Sequence, residues 1–111
     1  GEQRRDMTHV DDVVSANLFC ANNIDKKDLW GQWYDVGSGE NISLNELKDI
    51  VKEYFPDLPF EYKPPREGDV ALTKAGLTKF NTHGWNSKVK LLEGLSAVYE
   101  RLLNEDLPRK C

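Results

Sequence analysis

Two arginine clusters are the residues of this sequence best suited to chemistry: Arg4-Arg5-Asp6 near its start and Arg66-Glu67-Gly68-Asp69 past its middle. A guanidinium offers five N–H donors in a planar fork that matches phosphate, and two converging forks clamp a diphosphate. Either cluster alone is more often a solvated surface charge or a salt-bridge partner, and the residues by themselves leave the anion clamp as the second reading. Gly37-Ser38-Gly39 ahead of a helix has the form of a phosphate-binding turn. It lacks the third glycine of a dinucleotide fingerprint and the Lys-Ser/Thr of a P-loop, so a tight strand-to-helix turn is the simpler reading. His9 and His83 have no ligand-spaced partners, and neither Cys20 nor Cys111 is flanked by a base or sits in a metal-spaced pair. No metal and no catalytic nucleophile are expected, and Cys20, on a helix face, is expected to pack.

The chain that positions these groups has 111 residues, 39% hydrophobic and 31% charged, the composition of a globular domain or a piece of one. Lys+Arg 15 against Asp+Glu 19 gives a formal net charge of -4 without a basic block, which argues against general nucleic-acid binding. No apolar stretch approaches the roughly 18 residues of a membrane helix, and no charged-then-apolar leader opens the chain. Two cysteines are too few for a disulfide scaffold. A cytoplasmic setting without membrane contact is expected. A domain of this size buries only about two-thirds of its unfolded surface, leaving room for one binding site.

The spacing of Val10, Val14, Leu18 and Ala21 predicts a helix over about Asp11 to Asn22, with Asp11 and Asp12 favourably placed at its N-terminus. Trp33, Tyr34 and Val36 predict a strand within Trp30 to Val36, broken by the glycine turn. Ser43 and Glu46 form a capping box with Ile42 and Leu47 as its staple. The helix that follows carries the stripe Leu47, Ile50, Val51, Tyr54 and stops at Pro56. Phe60-Glu61-Tyr62-Lys63 alternates like a short strand, ended by Pro64-Pro65. A weak helix over Leu77 to His83 closes at Gly84, and a last helix spans about Leu91 to Asn104. This order predicts an α/β or α+β layer of about four helices with short strands.

Beyond these elements, Arg5 to Val14 resembles the Arg-Asp-(Phe/Tyr)-(Thr/Val/Ile)-(His/Tyr)-Val-x-Asp segment of the NAD-dependent nucleotide-sugar epimerase/dehydratase family, the extended short-chain dehydrogenases. Gly1-Glu2-Gln3 is similar to the tail of the Gly-x-Gly-x-Gln turn before it. Trp33 to Gly39 is similar to the x-(Phe/Tyr)-Asn-(Ile/Val)-Gly-(Ser/Thr)-Gly strand and turn, and Ile42 to Leu47 to the following helix. Pro64-Pro65-Arg66-Glu67-Gly68-Asp69-Val70 resembles Pro-x-Arg-x-Gly-Asp-Val, and Gly84-Trp85 with Glu93-Gly94-Leu95 resembles the closing motif. The motifs occur in family order along nearly the whole chain. The Arg66 loop most resembles the UDP-glucose 4-epimerase branch.

The resemblance implies that residues 1–111 form the C-terminal substrate-binding portion of an extended Rossmann-type epimerase, α/β in its parent and α+β as an isolated piece. It implies that Arg5 and Arg66 grip the diphosphate of a nucleotide sugar, with a UDP-sugar favoured. Asp69 would hold the nucleoside end, and Thr73 would line the sugar pocket. The family works by hydride transfer to and from NAD, assisted by a Tyr-x-x-x-Lys pair. This chain has no glycine fingerprint, and no Lys stands four places after Tyr34, Tyr54, Tyr62 or Tyr99. The N-terminal NAD-binding part is therefore expected to be absent, with no cofactor bound and no catalysis by this chain alone. A stand-alone, non-catalytic nucleotide-sugar or protein-interaction module is the alternative. Two departures stand out: Asp35 where the family usually has Asn, and Gly76 where it commonly has Asp. An unpaired strand at Trp33 to Val36 would expose an edge, which predicts a homodimer or a swapped dimer.

Overall fold

The computed structural model describes residues 1–105; Cys111 lies outside them. Strand β1 (Arg4–Asp6) leads into helix α1 (Val10–Asn22) and a 3-10 turn at Lys27–Leu29. Strand β2 (Asn41–Ser43) then runs directly into α2 (Leu44–Tyr54), followed by α3 (Thr78–Thr82) and α4 (Leu91–Asn104). β1 and β2 pair antiparallel with Arg4 opposite Ser43, Arg5 opposite Ile42 and Asp6 opposite Asn41. On its other edge Arg4 makes a parallel bridge to Leu72: its amide donates to the Ala71 carbonyl at 2.8 Å and its carbonyl accepts from Thr73 at 3.1 Å. Four helices with short strands are what the sequence predicts.

The capping box forms as read. The Ser43 hydroxyl accepts from the Glu46 amide at 3.1 Å, and the Glu46 carboxylate accepts from the Ser43 amide at 2.8 Å. That bond, then the nearby Arg4 charge, outweighs desolvation and holds the Glu46 carboxyl below its ordinary range. The other end of α2 closes on Phe55, one residue before Pro56. There Tyr54 and Phe55 meet Tyr99 of α4 at ring separations of 4.7 and 5.3 Å, and the Tyr54 hydroxyl is 2.8 Å from that of Ser96.

The core gathers around Phe80. Its ring stacks on Tyr34 and on Trp85, each at 4.9 Å, and meets Phe19 edge-on at 5.6 Å. Ala16 completes the cluster from α1. Helix α1 therefore turns Asp12, Ala16 and Phe19 inward, spaced four and three apart, and this corrects the expected stripe: Val10, Val14 and Leu18 are exposed. Asp12 belongs on the inner face because its carboxylate accepts from the Lys88 amide at 2.9 Å and the Val89 amide at 3.2 Å, tying α1 to the segment before α4. Cys20 is exposed, contrary to the packing role expected of it.

Two expected strands do not form. Trp30 to Val36 runs without ladder pairing, and Trp33 is 80% exposed. Strand propensity measures fit to a pleated, half-buried surface, and no described backbone pairs with this segment to supply one. Phe60 to Lys63 is also irregular. Conversely, Arg4–Asp6 pairs as a strand although its residues are all polar, because β2 and residues 71–73 flank it on both edges.

Candidate functional site

Successive side chains of a strand point to opposite faces, and β1 uses this to separate its adjacent arginines. The Arg4 guanidinium donates to the Asn41 side-chain oxygen at 2.9 Å and backbone carbonyl at 3.1 Å, and it lies 3.2 Å from the Glu46 carboxylate. Its hydrogen-bonding capacity is committed to joining β1, β2 and α2. Arg5 points the other way, donating from Nη2 to Oδ1 of Asp69 at 3.2 Å and from Nη1 to the Arg4 carbonyl at 2.8 Å.

Arg66 reaches the same carboxylate more loosely, with Nε 3.9 Å from Oδ2 of Asp69. Both arginines and Asp69 are thus brought to one point. Two guanidinium groups on one carboxylate leave an excess of one positive charge there. The Asp69 side chain is 28% exposed, whereas that of Arg66 is 86% exposed. Arg5 is accordingly a fixed fork and Arg66 a solvent-facing one. Gly68 has φ +81 and allows the turn that returns Asp69 towards Arg66. Thr73 is held elsewhere on β1: its hydroxyl accepts from the Asp6 amide at 3.3 Å. An open cleft of about 800 Å³ adjoins Arg66 and Asp69, with Gln3, Lys48, Phe60 and Tyr62 among its lining residues.

The Gly37-Ser38-Gly39 turn is built around an internal anion. The Asp6 carboxylate accepts from the Ser38 hydroxyl at 2.7 Å, the Ser38 amide at 2.8 Å and the Gly39 amide at 3.1 Å. Both glycines are required. A Cβ on Gly37 would lie 2.5 Å from the Ala75 Cβ, and Gly39 has φ +81. Desolvation alone would raise the Asp6 pKa, but the hydroxyl and amides of this nest together hold it below the ordinary carboxylate value. A depressed folded pKa contributes stability above the unfolded value of about 3.9 and loses it as pH falls through the folded one. Acid titration followed by circular dichroism should therefore show stability falling below about pH 4. Asp6→Asn should be less stable at neutral pH and flatter in that acid range, whereas an unchanged acid profile would contradict this role for Asp6.

Composition and periodicity left two groupings unseen. Asp35 and Gly76, the two departures from the family pattern, touch: the Gly76 amide donates to the Asp35 carboxylate at 2.9 Å, and a Cβ on Gly76 would lie 3.2 Å from that oxygen. An aspartate at 76 would bring a second carboxylate to the first, so the two departures are compatible with each other where either beside the family residue would differ in charge. The second grouping lies in the cleft. The Tyr62 hydroxyl donates to Oδ1 of Asn45 at 2.6 Å and accepts from Nζ of Lys48 at 2.8 Å. That hydroxyl raises the Lys48 pKa above its ordinary value. The i, i+3 spacing of Asn45 and Lys48 on α2 was the available sequence signal.

No family model matches the chain. Individual relatives do. A Methanocaldococcus jannaschii protein assigned as a UDP-glucose 4-epimerase is 32% identical over 96% of this chain and 33% of its own length. The structure of Thermotoga maritima UDP-glucose 4-epimerase with UDP-glucose superposes with a TM-score of 0.74 at 36% identity, covering 95% of this chain and 34% of that one. An NAD-dependent NDP-hexosamine 5,6-dehydratase, TunA of tunicamycin biosynthesis, superposes at 0.79 with 25% identity, over 96% and 34%. This chain's homologues and structural neighbours are NAD-dependent sugar epimerases and dehydratases. It spans about a third of the length of these epimerase/dehydratase relatives and corresponds to their C-terminal part. Among the described residues no helix is long and apolar enough to cross a membrane, and no cluster of His, Cys, Asp and Glu is placed to hold a metal ion.

Proposed function

We propose that this chain is the diphosphate-gripping portion of a nucleotide-sugar site in an NAD-dependent epimerase or dehydratase, with a UDP-sugar as substrate. The observation that carries the reading is the convergence of Arg5 and Arg66 on Asp69 with positive charge in excess. Arg5, braced by the Arg4 carbonyl, presents its fork in a set orientation. Arg66 is loosely paired and exposed, so it can turn from Asp69 to a second phosphate without breaking a short hydrogen bond. Asp69, relieved of one arginine, is then free to accept from the hydroxyls of the nucleoside sugar. Thr73, exposed beside β1, is assigned to the sugar end by the family resemblance. UDP is favoured by the likeness of the Arg66 loop to the 4-epimerase branch and by the UDP-glucose held in the Thermotoga maritima relative.

NAD dependence is a property of relatives such as TunA. Of the Gly37-Ser38-Gly39 turn, the Ser38 and Gly39 amides already donate to Asp6, so the turn serves an internal carboxylate. The chain's own contribution is binding and orientation, and hydride transfer belongs to the remainder of the parent enzyme. Association with a second copy is part of the same proposal, supported by the exposed Val10, Val14 and Leu18 of α1.

An NMR titration of the labelled chain with UDP, GDP, ADP and pyrophosphate tests the site. Saturable shifts at Arg5, Arg66 and Asp69, strongest with UDP, are expected. Absence of shifts at millimolar ligand would overturn the proposal for this chain.

A further inference from the structure

Residues 59–68 carry Arg66 yet contain no helix or strand. Irregular segments of this length hold one conformation only where side chains or turns tie them down. Within 59–68, among the described residues, the hydrogen bonds that leave the segment come from the Tyr62 hydroxyl. The Glu61–Lys63 pair and the Asp69 amide bond to Arg66 are local. Tyr62 is well suited to anchoring. Its hydroxyl uses its donor on Asn45 and an acceptor lone pair on the Lys48 ammonium, which also lies 5.3 Å from its ring centroid. Asn45 is itself braced, donating to Glu2 at 3.1 Å. Both partners stand on α2, whose first turn is locked to β2 by the capping box. Pro64 and Pro65 lie between the anchor and Arg66, and each fixes its own φ, so fewer free backbone torsions separate Tyr62 from Arg66.

We infer that Tyr62 is a positioning residue: its hydroxyl, held between Asn45 and Lys48, sets where Arg66 stands relative to Arg5. This rests on the diphosphate reading above and adds what determines the geometry of the movable fork. The side chain acts through Arg66 and not on the ligand directly, so its effect depends on Arg66 being present.

The test uses the full chain with Tyr62→Phe, Arg66→Ala and the double variant. UDP affinity is measured by calorimetry, and backbone order by heteronuclear NMR relaxation. Tyr62→Phe keeps the ring and removes both hydrogen bonds, one of them charge-assisted. It should raise amide mobility across 60–69, leave β1, β2 and α2 unchanged, and weaken UDP binding about tenfold. In the Arg66→Ala background the same substitution should change affinity less than twofold. Equal losses in both backgrounds, or unchanged order across 60–69, would overturn the inference. If Arg66→Ala alone leaves UDP affinity intact, the diphosphate reading fails and this inference with it. Loosening of 60–69 in Tyr62→Phe with no loss of affinity, while Arg66→Ala does weaken binding, would overturn the positioning role alone.

Discussion

Phe80→Ala is expected to lower the unfolding free energy by about 4 kcal/mol, in the range of large-to-small aromatic truncations in cores. The side chain is 2% exposed, and three rings, Phe19, Tyr34 and Trp85, close directly upon it. Its removal takes the common neighbour from all three. The cavity is hard to refill, because Trp85 is tethered to Ser15 by its indole N–H at 3.0 Å and the Tyr34 hydroxyl is 3.3 Å from the Leu29 carbonyl. A small core has little reserve, since domains typically hold only about 5–15 kcal/mol in total. Urea denaturation followed by tryptophan fluorescence measures the loss. A change below about 1 kcal/mol would mean that the core is not centred on Phe80.

Asp12→Ala is expected to cost about 3 kcal/mol, for a different reason. The carboxylate is 2% exposed and accepts from the Lys88 and Val89 amides. Truncation strands two donors at the junction between α1 and the approach to α4, and stranded donors carry their full desolvation penalty. Asp12→Asn keeps an acceptor oxygen and should lose less. Hydrogen exchange offers a local check, with Lys88 and Val89 amides losing protection in Asp12→Ala before the amides of α2 do. Equal stability of the Ala variant and the parent would contradict this role.

Both residues show where the sequence was legible and where it was not. The capping box at Ser43 and Glu46 was readable because both halves of the motif are local and have one geometric solution. The ends of α4 were readable for a similar reason, since periodicity is a property of a single helix. The inner face of α1 was misread because Asp12 counted as a polar N-terminal residue. Its burial depends on two amides far along the chain. The strand expected at Trp30 to Val36 failed on pairing, which propensity does not contain, and β1 succeeded for the converse reason. At the site, Arg5, Arg66 and Asp69 were singled out by donor chemistry and by family motif, and the fold brings them together. The nest around Asp6 and the anchoring by Tyr62 were not read, because an aspartate or a tyrosine does not advertise a nest or an anchor until its partners are folded around it.

Calorimetric titration of UDP into the chain and into Arg5→Ala and Arg66→Ala tests the central claim most directly. Two arginines sharing one diphosphate predict measurable binding by the parent and a loss of about tenfold or more in each variant, with unchanged circular dichroism. Binding that is equal in all three proteins would place the diphosphate elsewhere and contradict the account.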